Sequence, residues 1–216
     1  MTFENRRFLQ TCMTRLAIAA TLGTGLSGCA PLLFGGAAVG ALMASDRRTS
    51  GAQIEDEGIE LRSASRVRDS VVDRAHVNIT SYNRQVLLTG EVPTAQDKQL
   101  VEQIVSRVDN VRAIVNELAV LGNTSLTQRS SDALVTGKVK AAMVDAKDLF
   151  ANSFKVVTER GTTYLMGRVS QREGDRATEI ARGTAGVLKV VRIFETVGDE
   201  ELKQLLPAPA PGDAKK

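Results

Sequence analysis

Between residues 77 and 92 the chain alternates apolar and polar positions across a polar break, VNITSYNRQVLLTGEV, and between 154 and 169 it does so again, FKVVTERGTTYLMGRV. At a shift of 77 residues Val77 meets Phe154, Ile79 meets Val156, Leu88 meets Leu165, Gly90 meets Gly167 and Val92 meets Val169. A period of two on either side of Tyr82-Asn83-Arg84 or Glu159-Arg160-Gly161 predicts a β-hairpin in each copy. Gly90 and Gly167 fall late in a strand, where a bulge or a close backbone approach is the ordinary reason for glycine.

The repeat continues beyond the hairpins. Thr94-x-x-Asp97 and Ser170-x-x-Glu173 have the form of capping boxes opening a helix, at a shift of 76 because Pro93 is an extra residue in the first copy. The first helix then carries Val101, Ile104, Val105 and Val108 at i, i+3, i+4, i+7, and the second carries Ala177, Ile180, Ala181 and Thr184 there. That is one core-facing stripe in each copy. Turns at Asp109-Asn110-Val111 and Ala185-Gly186-Val187 lead into last strands, VRAIVNELAV and VLKVVRIFETV. A helical stretch precedes each hairpin, at about 57–72 and 131–146, and the first aligns with the second only through a gap. Each unit therefore reads α-β-β-α-β over about 70 residues, with GNTSLTQRS (122–130) as the linker.

The strand endings Leu88-Thr89-Gly90-x-Val92 and Leu165-Met166-Gly167-Arg168-Val169, the helix after them, and the following Asn110-Val111 or Gly186-Val187 resemble the BON domain family. The resemblance implies an α+β fold with two tandem BON domains, at 54–121 and 131–197. Each is an αββαβ unit whose small mixed sheet packs on two helices. Residues 198–216, ending in LLPAPAPGDAKK, read as a disordered Pro-rich tail.

The start of the chain has a different character. Arg15 precedes a short apolar run, Leu16 to Leu22, and small residues follow, which is the order of a secretory signal. The run is shorter than the roughly 20 residues of a membrane span. Leu26-Ser27-Gly28-Cys29 resembles the bacterial lipobox, which implies that residues 1–28 are a signal peptide and that Cys29 becomes the lipidated, palmitate-bearing N-terminus. Met13 would serve as an alternative start, and Cys12 is discarded under either start. One cysteine then remains, so no disulfide forms within the chain. Residues 29–53 read as a membrane-apposed tether that turns polar from Asp46 to Gln53. Ala30 after the cysteine, rather than Asp, implies sorting to the outer membrane, with the domains facing the periplasm.

Composition narrows the function. Aromatic residues make up 4% of the chain and tryptophan is absent, so each core rests on Val, Leu, Ile and Ala. Without residues 1–28 the chain has 25 basic and 24 acidic residues, a balance that excludes bulk nucleic-acid binding. His76 is the single histidine and alternates within a strand, as a surface or edge residue does. One histidine and one lipidated cysteine do not make a metal site. The acidic runs Glu55-Asp56-Glu57 and Asp199-Glu200-Glu201 read as a helix start and a solvated tail rather than paired catalytic carboxylates. No enzyme, cofactor or metal is expected.

The first helix of the second unit is the informative element. At about 100° per residue, Val135, Val139, Ala142, Met143 and Ala146 gather on one side as the core face. Leu134, Gly137, Lys138, Ala141, Val144 and Asp145 gather on the other, with Lys140 flanking and Lys147 beyond the end. An apolar strip fringed by lysines suits an anionic lipid surface; packing of Leu134 and Val144 against the first unit is the equal alternative from the residues alone. The resemblance to dual-BON outer-membrane lipoproteins implies the lipid: an anionic, phosphatidylglycerol-like phospholipid bound through this helix. Where those proteins have a large aromatic near the helix start, this chain has Leu134. The function this implies is a lipid-anchored, non-enzymatic periplasmic protein that supports outer-membrane integrity. The alternative is a protein-interaction adaptor for an envelope assembly or quality-control partner.

Overall fold

The structure, a computed structural model, describes residues 46–70 and 75–205. Its elements follow in the order α1 (Ser50–Ser70), β1 (His76–Tyr82), β2 (Gln85–Val92), α2 (Ala95–Ser106), β3 (Ala113–Asn116) and β4 (Ala119–Val120). The second repeat continues with α3 (Leu126–Asp145), a 3-10 turn (Ala151–Ser153), β5 (Phe154–Glu159), β6 (Thr162–Val169), α4 (Gln171–Gly183), β7 (Lys189–Thr196) and α5 (Asp199–Leu205). Each repeat builds a mixed sheet. β1 and β2 pair antiparallel and β3 joins β2 in parallel; β5, β6 and β7 repeat the arrangement.

Both hairpins close on two-residue turns, with Tyr82 opposite Gln85 and Glu159 opposite Thr162. Asn83 (φ 50°) and Arg84 (φ 64°) are both left-handed, as are Arg160 (φ 50°) and Gly161 (φ 72°). A mirror-image turn matches the strand twist and needs positive φ at both central positions. Three of these four residues carry side chains, which makes the conformation costly unless something else holds it. A helix carboxylate does so in each repeat. Asp56 on α1 accepts from the backbone N–H of Asn83 and of Arg84, both at 2.7 Å. Asp132 on α3 accepts from those of Arg160 and Gly161, both at 2.9 Å.

These two aspartates also align the first helices. The buried positions of α1 are Asp56, Ile59, Ser63 and Val67, and those of α3 are Asp132, Val135, Val139 and Met143. Every pair is 76 residues apart, so the helices match without the gap expected from sequence. Asp56 was expected to belong to a helix start; it lies inside α1 and is buried, because the hairpin turn needs its oxygens.

The second helices carry the expected stripes, with Val101 and Val105 buried on α2 and Ala177 and Ala181 on α4, while Val108 is buried in the turn just past the end of α2. Ser170 forms a full capping box with Glu173, while the Thr94 hydroxyl accepts from the Asp97 N–H and donates to its carboxylate. The turns after these helices are left-handed at Asn110 (φ 67°) and Gly186 (φ 100°). Gly90 (φ 109°) lies so close to β1 that a Cβ there would stand 2.0 Å from the His76 carbonyl.

Several boundaries differ from expectation. α1 starts at Ser50, inside the stretch read as polar tether, where the Thr49 hydroxyl accepts from the Ala52 N–H. α3 starts at Leu126, inside the expected linker, because Ser125 caps it through the Gln128 N–H. Residues 199–205 of the expected disordered tail form α5, whose acidic first turn suits a helix N-terminus, and Glu201 pairs with Arg168. The last strand of the first repeat breaks into β3 and β4, because Asn116 bonds the Lys98 carbonyl and the Leu118 N–H while Leu118 turns into the core.

The helices cover one face of each sheet. The other faces meet: Tyr82 and Leu87 from the first sheet pack with Tyr164, Met166 and Ile193 from the second. Adjacent residues therefore serve different cores. Leu87 joins this central cluster while Val86 and Leu88 join that of the first repeat, and Leu165 joins that of the second. Burial pushes the Tyr82 and Tyr164 hydroxyls up to about 12. Polar bonds ring the contact, among them Asn83 to Glu195 (2.6 Å) and Lys155 to Glu60 (2.6 Å).

A strap ahead of α1 ties both repeats. Arg47 is buried, donates to both Glu173 oxygens at 2.9 and 2.6 Å and to the Arg168 carbonyl at 3.1 Å, and lies over the Phe150 ring. Arg48 donates to Asp46 and to Asp56 (2.8 Å) and stacks on Tyr82, 4.4 Å from the ring centre. Burial opposes ionisation of Glu173, but the Arg47 guanidinium and the Ser170 donors outweigh it and hold the carboxyl below the usual range.

Two outcomes follow. Asp56→Ala leaves two turn amides and the Ser81 hydroxyl without their acceptor and removes one of the two carboxylates on Arg48, and should cost about 3 kcal/mol of stability by urea unfolding. Arg47→Ala should cost a similar amount, about 3 kcal/mol, at neutral pH. Because the Glu173 carboxyl is depressed in the folded state, its contribution is present above its ordinary 4.5 and is lost as pH falls through the folded value. The stability gap between wild type and Arg47→Ala should therefore narrow in acid below that point.

Candidate functional site

The sequence singles out one face of α3, and the helix holds that face outward for a simple reason. Asp132, Val135, Val139 and Met143 are spent on the turn and the core, at three- and four-residue spacing. The opposite side therefore faces water. Leu134, Gly137, Lys138, Ala141, Val144 and Asp145 are all exposed, with Leu134 at 68% and Val144 at 67%. They do not pack against the first repeat. A Cβ added at Gly137 would meet no atom within 4 Å, so the middle of the strip is open to close approach.

The earlier helix start adds a residue to this face. Leu126, 78% exposed, lies five turns before Val144 and in the same direction around the axis. The apolar strip thus runs from Leu126 through Leu134 to Val144, about 27 Å. Lys138 lies at one margin and Lys140 at the other, both exposed, and exposed Lys147 follows the helix. Asp145 is the one acidic group on the face. α1 also shows two apolar side chains, Ile54 and Leu61, but two of its three arginines are engaged: Arg62 pairs with Glu55 at 2.6 Å and Arg66 donates to the Arg107 carbonyl.

A second cluster was not visible in the sequence. His76 does lie on an edge strand, but it is half-buried rather than a surface residue, with Nδ1 3.1 Å from Glu91 Oε2 and 3.9 Å from Glu159 Oε1. Glu91 is fully buried, and its Oε2 also accepts from the Thr124 N–H (3.2 Å) and hydroxyl (2.9 Å). Burial opposes ionisation of Glu91, yet the Thr124 and His76 donors hold it below the usual carboxylate range. Glu159 moves the other way: burial pushes it up, against the Asn78 amide donating to its Oε2 at 2.7 Å. Gly90 permits the arrangement, since its close approach to the His76 carbonyl holds β1 against β2 here. Beside the cluster, a cleft of about 510 Å³ is lined by Thr124, Asp132 and Arg160 among others.

The expected signal peptide (1–28), the lipidated Cys29, the tether up to residue 45 and the tail from 206 lie outside the described residues. No helix among the described residues is long and apolar enough to cross a membrane.

Comparison with known proteins agrees with this architecture. The family model described as BON domain matches residues 55–122 and 131–197, one match per repeat. The outer membrane lipoprotein DolP of Haemophilus influenzae is 36% identical over 185 residues, covering 85% of this chain and 96% of that one. The 21 kDa hemolysin of Actinobacillus pleuropneumoniae is 31% identical over 154 residues, covering 70% of this chain and 79% of its own. Among solved structures, CdsD of the Chlamydia trachomatis type III secretion system covers 71% of this chain and 96% of its own, at 14% identity and a TM-score of 0.28. With both repeats matched and near-complete coverage of an outer-membrane relative, the chain belongs to the BON domain family, as an outer-membrane lipoprotein with two copies of the domain.

Proposed function

We propose that the protein is a non-enzymatic periplasmic module, anchored by lipid at Cys29, that binds anionic phospholipid through α3 and supports the integrity of the outer membrane. The observation that carries this reading is the exposed strip Leu126–Leu134–Val144 between Lys138 and Lys140. A helix lying in an interface buries its apolar side among acyl chains, and lysines at its margins meet the phosphates. Full burial of a leucine contributes about 1.5–3 kcal/mol, and each lysine near an anionic surface about 1 kcal/mol. These are modest sums, and a chain already tethered to the membrane needs no more, because tethering raises the local lipid concentration. Gly137 and Ala141 suit the same role, since small residues let the helix axis approach the surface. The relative named DolP supports the compartment.

The test is binding to phosphatidylglycerol vesicles by the full chain. Leu134→Glu or Val144→Glu should weaken binding by at least about 30-fold, the equivalent of 2 kcal/mol, with an unchanged circular dichroism spectrum. Leu126→Glu should weaken it too, and Asp145→Asn should tighten it slightly. Raising salt should weaken wild-type binding more than that of a Lys138→Gln variant. Unchanged binding in folded Leu134→Glu and Val144→Glu variants would falsify the reading. A protein crosslinked at Leu134 or Val144 in cells, without lipid protection of that face, would favour an adaptor instead.

A further inference from the structure

His76, Glu91 and Glu159 offer ligand atoms that all lie within 4.8 Å of one another, two residues from the first repeat and one from the second. We propose that these three residues bind a zinc ion, with water as the fourth ligand, and that the metal cross-links the two repeats. The donor set argues for the element. An imidazole nitrogen suits zinc and other first-row transition metals, whereas magnesium and calcium prefer oxygen throughout. Two carboxylates also neutralise a divalent charge.

The spacing argues for the geometry. With bonds of about 2.0–2.1 Å, neighbouring ligand atoms of a tetrahedral zinc stand roughly 3.3 Å apart. The His76 Nδ1 lies 3.1 Å from Glu91 Oε2 and 3.9 Å from Glu159 Oε1, on either side of that figure.

A separate observation concerns the fully buried Glu91. Its Oε2 accepts from Thr124 and faces His76, but its Oε1 is buried and makes no hydrogen bond. A buried carboxylate oxygen without a partner is costly, and a zinc ion that Glu91 holds through both of its oxygens satisfies it. The nearest cation is the Arg160 guanidinium, 3.7 Å from Oε1, whose side chain is 44% exposed and can turn to solvent. Outer contacts already orient the ligands, as they do around bound metals: the Asn78 amide holds Glu159, and Thr124 holds Glu91. The neighbouring cleft is lined by Thr124 and Arg160, the two residues that approach Glu91 from that side.

This site is independent of the α3 face, and its test reads neither lipid nor partner. The untagged full chain in detergent, stripped with a chelator, is titrated with zinc by calorimetry and followed by imidazole 15N signals. His76 is the single histidine, so one imidazole reports. The expected result is one zinc per chain at micromolar affinity or tighter, a shift of the His76 Nδ1 signal, and a higher thermal midpoint. His76→Ala and Glu159→Gln, each checked for an unchanged circular dichroism spectrum, should each lose at least 30-fold in affinity. Arg160→Gln should retain or gain affinity, because it removes a competing cation. Zinc binding that is equal in wild type and folded His76→Ala, that leaves the imidazole signal unmoved, or that equal concentrations of magnesium or calcium displace, would overturn the proposal.

Discussion

The contact between a helix carboxylate and the amides of a hairpin turn underlies everything else in this molecule. Asp56 and Asp132 each take two consecutive N–H groups from a turn whose residues sit in the left-handed region. A two-stranded hairpin is marginal by itself, and a left-handed arginine makes it worse. The carboxylate fixes the turn, and it also sets the height of the helix against the sheet. That height brings Ile59 or Val135 over the strands, so turn, register and core follow from one group. In the first repeat the same carboxylate also receives Ser81 and Arg48, which extends the arrangement to the chain segment before α1.

The elements of the repeat were legible where local chemistry dictates them. Alternation marked the hairpins, Ser170 and Glu173 marked a helix start, and Asn110 and Gly186 marked turns. The packing of one sheet on the other was less so, although the chain holds a sign of it. Val86-Leu87-Leu88 and Tyr164-Leu165-Met166 break strict alternation with continuous apolar runs, the pattern of strands covered on both faces. The match between α1 and α3 was hidden because Ser63 stands where Val139 does, and a buried serine disrupts an apolar stripe. Asp56 and Asp132 align the helices, but a single buried acidic residue looks like solvated surface until its acceptor role is seen.

The α3 face was readable because helical geometry assigns sides from spacing alone. Its first residue was missed for a boundary reason: Ser125 caps the helix inside a run of polar residues that resembles a linker. Leu126 then looked like an isolated apolar residue instead of the beginning of a strip. The His76 cluster was beyond reach for a different reason. Its members are 15 and 83 residues from the histidine along the chain, and their meeting depends on how two sheets stack. No periodicity in the sequence carries that information.

The strap of Arg47 and Arg48 has a mechanical consequence. A pull arriving along the chain from its N-terminal side meets Glu173 and Asp56 before it reaches α1. The load divides between the two repeats and falls on several charge-assisted bonds. Without the strap, the same tension would fall on the first turn of α1 and unzip it bond by bond. The attachment is therefore made to the pair of domains as a unit, and the helix that follows is relieved of bearing the weight.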